Sequence, residues 1–600
     1  MRGTARIDFA QPLDSSAPRL CYAFDAPLQV LEAHALHEVH GLLDAVHAAA
    51  QQGRWCVGHV RYEAAAAFDA ALQTHPADGP LAWFAVYGAP LPWPADGAAD
   101  ADPAAQVEWT GDPDRAGFDA AIDRIQQAIS AGEFYQVNYT APLTGHLRQG
   151  SAAALFAALQ RAQPGGYAAH IDAGGEQVLS VSPELFFDWQ DAPGGGHILT
   201  RPMKGTAARG ATPAEDAAQA AHLRASPKER AENVMIVDLL RNDLSRIAQP
   251  YSVRVPALFH TEALPTVWQM TSDVQARTRP GTTLADVFAA LFPCGSVTGA
   301  PKVRAMQMIR ALEAAPRGIY CGAIGVVRPA GAAGADGCHS VAATFNVPIR
   351  TVVLRAGAGG TMATCGIGSG ITSGATADAE WAEWRHKRAF VERASAPFDL
   401  LETLALVDGQ FRHRDAHLAR LQGAAAHFAA PFDAVAVQHC LQALADSHPV
   451  GAWRVRLLLG ERGQPHAEAF ALQPTPEPVR LQLALRPLAE AQGEFVRYKT
   501  TRRTHYAAFA STTPGVFDTV LYNEAGEITE GTFGNVAMLL DGRWVTPPLA
   551  CGLLPGVGRA VALREGRLTE AVVRVADVPR VQAWAFINSL RGWLAAELVP

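Results

Sequence analysis

A mixed α/β fold in two large domains is what this sequence predicts, with α+β segregation in places, and three observations predict it. Up to about residue 390, apolar β-rich runs alternate with amphipathic helical stretches. A charged helical stretch, AEWAEWRHKRAFVERASA, then meets Pro397, after which LLETLALVDGQFRHRDAHLARL opens a new strand, turn and helix pattern. The 600 residues, 49% hydrophobic and 18% charged, have ordinary globular composition, enough for roughly two to four domains with buried cores. The expected division is 1–390, a short linker 391–397, and 398–600. So short a joint makes the two halves close neighbours rather than beads on a tether.

Within the first half, FDAAIDRIQQAISAG (118–132) and RAENVMIVDLLRNDLSRIA (230–248) carry helical periodicity. The Ala/Gly/Pro-rich stretch around 88–106 reads as a surface loop, and PAGAAGADG (329–337) as a hairpin-like excursion. The net charge of -8 is spread out, without a Lys/Arg block, which argues against nucleic acid and for small-molecule ligands. The N-terminus has no continuous apolar core before a cleavage site, and no run of about 18 apolar residues occurs; a cytoplasmic location is expected. Eight cysteines without any C-x-x-C pair suggest neither a zinc site nor a disulfide framework.

Chemistry enters at Pro-Met-Lys-Gly-Thr (202–206), which places Lys204 in a Gly/Pro-shaped turn. By itself a lysine in a turn is a solvated charge; its company decides. Two E-x-x-E pairs, Glu229/Glu232 and Glu380/Glu383, lie on helical segments, and a spacing of three puts each pair on one face, about 60° apart. Such pairs are commonly solvated, but four oxygen ligands suit a hard cation such as Mg²⁺, which keeps some waters and also binds a substrate carboxylate.

These motifs have neighbours in a fixed order: GEFYQVNYT (132–140), SPELFF (182–187), TRPMKGTAARG (200–210), ERAENVMIVDLLRNDL (229–244), FPCGSVTGAPKVRAM (292–306), RGIYCGAIG (317–325), FNVPIRT (345–351) and CGIGSGITS (365–373). Residues 1 to about 390 thereby resemble the chorismate-utilising family of anthranilate, aminodeoxychorismate and isochorismate synthases, which implies its β-sandwich with helices. In that family aminodeoxychorismate synthases typically carry the lysine found here at 204, anthranilate synthases an alanine. Isochorismate synthases typically have a lysine where this chain has Gln136, which cannot act as that base. Many relatives have histidine where this chain has Gln269, a position tied to pyruvate elimination in anthranilate synthases.

The resemblance implies attack of the neutral Lys204 amine on C2 of chorismate, loss of the C4 hydroxyl, and entry of ammonia at C4 with expulsion of the lysine. A free lysine titrates near pH ~10.4, so burial or neighbouring positive charge is expected to lower it. Glu184 would be the general acid, Mg²⁺ on Glu229, Glu232, Glu380 and Glu383 would take the ring carboxylate, and Arg350 with Tyr320 the enolpyruvyl carboxylate. The backbone N–H groups of Gly366, Ile367, Gly368, Ser369 and Gly370 would assist, with Thr298 against the ring. No G-x-C-x-G-x-Q elbow occurs, so ammonia is expected from a separate glutamine amidotransferase subunit, with free ammonium as a substitute.

The last 200 residues present RYKTTRRTHY (497–506), FDTVLYNEAGEITEGTFGNVAM (517–538), VTPPLACGLLPGVGR (545–559) and INSLRGW (587–593). Singly, Lys499 and Glu530 are ordinary surface residues; LLPGVGR and Arg420 supply anion-binding character. Together they resemble the class IV aminotransferases, the fold-type IV pyridoxal phosphate enzymes. The resemblance implies an α+β domain in which Lys499 carries the cofactor and Glu530 pairs with its ring nitrogen. Arg420, Val557, Gly558 and Ser589 would hold the phosphate, and Arg456 a substrate carboxylate. A homodimer through this half is expected by analogy.

The family does not separate a transaminase from a lyase; fusion to a half that would make aminodeoxychorismate favours the lyase, and with it 4-aminobenzoate and pyruvate. The alternatives are a D- or branched-chain amino acid transaminase, or an anthranilate-forming first half with a non-catalytic dimerisation module.

Overall fold

A computed structural model describes residues 4–14, 16–93, 104–111, 114–208, 213–263, 267–334, 337–357 and 359–599. Residues 94–103 of the first loop, 209–210 at the end of the lysine motif and 335–336 of the hairpin-like excursion lie outside them. The chain divides into two compact units, Met1–Pro397 and Phe398–Pro600. The charged helix spans Ala377–Ala394 and buries Val391 and Ala394, so residues 391–394 are helix rather than linker. Among the described residues no helix is long and apolar enough to cross a membrane.

The first unit is built on two ten-stranded sheets. One runs Gly299–Ala300, Gln136–Gln149, Gly360–Thr372, Thr351–Gly357, Glu176–Ser182, Tyr167–Asp172, Thr4–Phe9, Leu20–Phe24, Leu91–Pro92, with Gln106–Gly111 on the side of Gln136–Gln149. The other runs Met203–Ala208, Val267–Arg277, His197–Arg201, Leu185–Gln190, Ser340–Asn346, Ala323–Ala330, Trp55–Val60, Ala82–Tyr87, Gln29–Ala33, with Arg254–Ala263 beside Val267–Arg277. Period-two burial explains the sandwich: Thr4–Phe9 turns Ala5, Ile7 and Phe9 inward. These meet Val57, Trp83, Leu199 and Ile324 of the other sheet in a shared core. Each large side chain so buried contributes roughly 1.5–3 kcal/mol over exposure.

Helices cover the outer faces. Arg115–Ser130, Ala152–Ala162 and Ala377–Ala394 pack on the first sheet, and Val39–Gln51, Pro227–Ser245 and Leu284–Leu291 on the second. Arg115–Ser130 starts where the Asp114 carboxylate accepts from the amides of Ala116 and Gly117, and it buries Phe118, Ile122 and Ile125 at helical spacing. The 329–337 excursion joins two antiparallel strands that pair Ala330 with Ser340.

The second unit pairs a four-stranded sheet (Gln410–Phe411, Leu400–Val407, Ala452–Leu459, Pro465–Ala471) with an eight-stranded one. The eight-stranded sheet is mixed: Val479–Leu483 lies parallel to both Asp518–Tyr522 and Gly592–Val599, whereas Asn535–Leu540 and Ala583–Asn588 pair antiparallel. Helices Arg414–His427 and Ala434–Ser447 cover the small sheet through Leu421, Ala425, Val437 and Leu441.

Candidate active sites

Lys204 stands on a strand, not in a turn. Met203 pairs with Thr271 and Thr206 with Gln269, so one extra residue is inserted between the two pairs. Gly205 takes it up at φ +95, a β-bulge of the kind that re-aims a side chain. The Gln269 amide donates to the Gly205 carbonyl at 2.9 Å, so Gln269 fastens the bulge. A Cβ on Gly205 would lie 3.0 Å from Glu229 Oε2, which sets the bulge against the first carboxylate helix.

Around the lysine, close approach selects glycine. A Cβ on Gly370 would lie 2.9 Å from Lys204 Nζ and 2.5 Å from Gln136 Nε2, and one on Gly366 would enter the Tyr320 ring at 2.3 Å. Gln136 is fully buried, and among the described residues neither its amide oxygen nor its nitrogen has a hydrogen-bond partner. Glu184 is buried, and among the described residues its Oε1 has no hydrogen-bond partner; burial pushes its carboxyl up, against the pull of the Ser296 hydroxyl, Lys204, Lys387 and the Met203 amide. That is the condition of a general acid.

Arg350 is half-buried, with no carboxylate partner among the described residues, and burial with the neighbouring Arg393 brings its guanidinium down to about 10. An incoming carboxylate would relieve it. Burial raises the Tyr320 hydroxyl well above its usual range. Thr298 is fully buried and its hydroxyl donates to the Cys294 carbonyl at 3.1 Å.

Glu229 and Glu232 on one helix feel the charge of Glu383 on the other, and Glu380 feels it from within its own helix. Burial raises Glu229, Glu232 and Glu380, and Glu383 adds repulsion to each. Glu383 itself is lowered: burial opposes, but Lys387, at 2.7 Å, outweighs it. Crowded, partly desolvated carboxylates are the donor chemistry a hard cation neutralises. They do not form a closed cage, since among the described residues no three such side chains are close enough to hold a metal ion. Protein donors engage them instead, with Ser369 at 2.5 Å from Glu380 and Thr372 at 3.4 Å from Glu232.

Sequence reasoning missed the scaffold beneath. Arg317 and Glu313 form a buried pair at 2.7 Å. The guanidinium also donates to the carbonyls of Val297 and Asn138, each at 2.7 Å, and Glu313 accepts from the amide and hydroxyl of Thr140. One pair thus ties together the segments bearing Thr298, Gln136 and Tyr320. Its only sequence signal is the i, i+4 spacing in EAAPR.

In the second unit Lys499 is surrounded by charge. Burial brings its amine down to about 8, with Arg420 and Arg503 helping and Glu402 and Glu530 opposing. Burial lifts Glu530 to about 8, against hydrogen bonds from Tyr506 and the Leu554 amide; Tyr506 Oη donates at 2.7 Å and the Leu554 amide at 3.1 Å. A Cβ on Gly556 would lie 1.9 Å from Asn535 Oδ1, and one on Gly558 2.7 Å from the Asn588 carbonyl carbon. The segment before and at the start of helix Val557–Arg564 therefore packs on Asn535, Asn588 and Ser589 closely enough to require glycine, and a helix start of this kind suits an anion.

Arg420 is forked onto Glu402 through Nε at 2.8 Å and a terminal nitrogen at 2.7 Å, and reaches the Pro555 carbonyl at 3.1 Å. Three of about five guanidinium donors are spent, leaving some for a phosphate. His417 bridges Glu402, at 2.6 Å, and the Ser589 hydroxyl, at 2.7 Å. A neutralisable lysine, a buried acid, an arginine fork and a glycine-lined helix start fit pyridoxal phosphate.

Arg456 is not brought into this set. It is exposed on Ala452–Leu459 between Val455 and Leu457, both buried, so alternation points it to the opposite face. Arg503, whose charge acts on both Lys499 and Glu530, joins Arg420 as a guanidinium near the lysine. Glu402, His417, Tyr506, Asn535 and Arg503 were not singled out from the sequence. Glu402 had a signal, being an acid at an inward position of LLETL.

A family model described as chorismate binding enzyme matches residues 89–393, and one described as class IV amino-transferase matches 399–599. The chain belongs to the chorismate-binding enzymes and continues into a class IV aminotransferase domain. It is 42% identical over 280 residues to an aminodeoxychorismate synthase of Streptomyces griseus, covering 46% of this chain and 37% of that one. It is 44% identical over 217 residues to aminodeoxychorismate synthase component 1 of Klebsiella aerogenes, covering 36% and 47%. The matches thus span less than half the length of either relative. The fold is shared with the menaquinone-specific isochorismate synthase of Escherichia coli, at a TM-score of 0.50 and 17% identity over 66% of this chain and 89% of that one.

Proposed function

We propose that the chain makes 4-aminobenzoate from chorismate and ammonia, with amination in the first unit and pyruvate elimination in the second. The observation that carries this reading is Lys204 Nζ beside Gly370 and Gln136, with its charge felt at the buried Glu184. Lys204 Nζ bonds to C2 of chorismate, the ring double bonds shift, and the C4 hydroxyl leaves as water on the proton of Glu184. Ammonia then bonds to C4, the double bonds shift back, and the C2–N bond to Lys204 breaks. Arg350 and Tyr320 take the enolpyruvyl carboxylate. Mg²⁺ held by Glu229, Glu232, Glu380 and Glu383 would supply positive charge for the ring carboxylate. Ammonia comes from a separate glutamine amidotransferase.

In the second unit pyridoxal phosphate, when bound, supplies an electron sink. Glu530, steered by Tyr506, Asn535 and the Leu554 amide, would hold the ring nitrogen. Lys499 Nζ takes the C4 proton of aminodeoxychorismate, and aromatisation drives out pyruvate. This unit is proposed to assemble as a homodimer.

The test is the product formed from chorismate, ammonium and Mg²⁺, with and without pyridoxal phosphate. Wild type yields 4-aminobenzoate and pyruvate, Lys499→Ala accumulates aminodeoxychorismate, and Lys204→Ala consumes no chorismate. Anthranilate as product, or amino acid transamination in place of lyase activity, overturns the corresponding half. Glu184→Gln lowers the amination kcat by roughly 10²–10⁴-fold, the usual worth of a positioned acid, while added aminodeoxychorismate is still converted.

A further inference from the structure

Three side chains in the second unit form a chain of hydrogen bonds that constrains one proton. Glu402 Oε2 lies 2.6 Å from His417 Nδ1, and Ser589 Oγ lies 2.7 Å from His417 Nε2. His417 and Glu402 are each about 1% exposed. Burial opposes ionisation of Glu402, but the forked Arg420 and the His417 ring overcome it and hold the carboxyl at about 2. An ionised carboxylate only accepts, so His417 Nδ1 carries a hydrogen. A neutral ring then has only a lone pair at Nε2, and Ser589 must spend its single O–H on it.

That arrangement conflicts with the role Ser589 has in the cradle. A hydroxyl that has given its proton to His417 shows lone pairs to an anion, which repels it. If Nε2 is protonated, the bond reverses: His417 donates to Ser589 Oγ, and Ser589 Oγ–H becomes free to donate outward. The charged groups facing the ring are Glu402 from its strand, Arg420 from the same helix, and Lys499. Burial lowers His417, and Arg420 and Lys499 lower it further against the pull of Glu402, so the ring is neutral while the cradle holds no anion. A dianion adds negative charge next to it and reverses the balance.

We propose that His417 is a positioning residue of the phosphate cradle that takes up one proton from solvent as the phosphate binds, turning Ser589 from a donor to the ring into a donor to the anion. This rests on pyridoxal phosphate being the group held by Arg420, Val557–Gly558 and Ser589, not on which reaction the unit catalyses. Uptake is one proton per phosphate, with no other bond made or broken.

The probe is pyridoxine 5′-phosphate, which has the phosphate but no aldehyde to react with Lys499. In the full-length protein with ¹⁵N-labelled histidine, His417 Nε2 shifts from the unprotonated to the protonated range on binding while Nδ1 stays protonated. Calorimetry in buffers of different ionisation heat shows an extra proton taken up by wild type relative to His417→Gln, whose amide can donate to Ser589 without titrating. The wild-type Kd rises about tenfold per pH unit more steeply than that of the variant at alkaline pH, as one linked proton requires. Binding with Nε2 unprotonated throughout overturns this proposal alone. Failure to bind the probe at all overturns the cofactor assignment, and this proposal with it.

Discussion

Each unit builds its site on a buried arginine–glutamate pair, and the two pairs are used differently. Arg317 gives four hydrogen bonds to Glu313 and to the Val297 and Asn138 carbonyls, nearly exhausting its roughly five donors. Arg420 gives two to Glu402 and one to Pro555 and keeps some back. The first is scaffold; the second is scaffold and ligand at once. Whether a buried arginine serves structure or recognition is therefore decided by the donors left over after its carboxylate is satisfied.

The largest expected effect breaks the first pair. Arg317→Leu leaves Glu313 buried without its cation, which costs about 3–5 kcal/mol, and it frees the segments bearing Thr298, Gln136 and Tyr320. Chorismate turnover falls and the unfolding transition of the first unit moves down, while pyridoxine 5′-phosphate binds as before. Unchanged stability would mean the pair contributes nothing as scaffold. Arg420→Lys should invert the pattern. A lysine cannot fork, so phosphate affinity falls by about 10- to 100-fold, the worth of one or two charged hydrogen bonds, with a smaller loss of stability. Titration against pyridoxine 5′-phosphate, with thermal unfolding alongside, separates the two effects.

Gly370→Ala sharpens the contrast from the ligand side of the first unit. Its methyl would stand 2.9 Å from Lys204 Nζ and 2.5 Å from Gln136 Nε2, so both must move. A displacement of about 1 Å at a reacting atom can cost about 10²-fold. The expected result is a fall of that size in kcat for amination with the fold intact by circular dichroism. A fall in stability alone would place the glycine among the packing residues.

Much of this was legible in the sequence because motif order and period-two or helical spacing are local. The two-layer sandwich follows from strands such as Thr4–Phe9, whose alternation leaves one choice of inward face. Glu184, Lys204, Lys499 and Glu530 were read from their motifs, and each stands in the setting described above. The bulge at Lys204 was not legible, since it depends on how Met203–Ala208 registers against Val267–Arg277, a partner more than 60 residues away. Arg456 was chosen although VRL already placed it between two inward residues. Arg503 was passed over because its approach to Lys499 is set by tertiary packing. The Arg420–Glu402 pair escaped for the same reason, its partners lying on different elements, and the Arg317–Glu313 pair because a spacing of four is as common in solvated pairs.

The two carboxylates around Lys499 differ as well: Glu402 is ion-paired with Arg420, whereas Glu530 accepts hydrogen bonds but has no salt bridge among the described residues. Glu402 is held at about 2 by Arg420 and His417 in spite of burial, whereas burial lifts Glu530 to about 8. Their signs are opposite. The Glu402 contribution is present above its unfolded value of 4.5 and is lost as pH falls through about 2. The Glu530 contribution is present below 4.5 and is lost as pH rises through about 8. Without cofactor, Glu530→Gln should therefore match wild type in thermal stability near pH 4, gain on it progressively across that window, and hold a constant advantage above it. Saturating pyridoxine 5′-phosphate should cancel or reverse the advantage, because a protonated ring nitrogen adds a cationic partner to the hydrogen bonds Glu530 already accepts. An advantage independent of pH would show that Glu530 is already paired in the free protein, and that the two carboxylates differ less than their surroundings indicate.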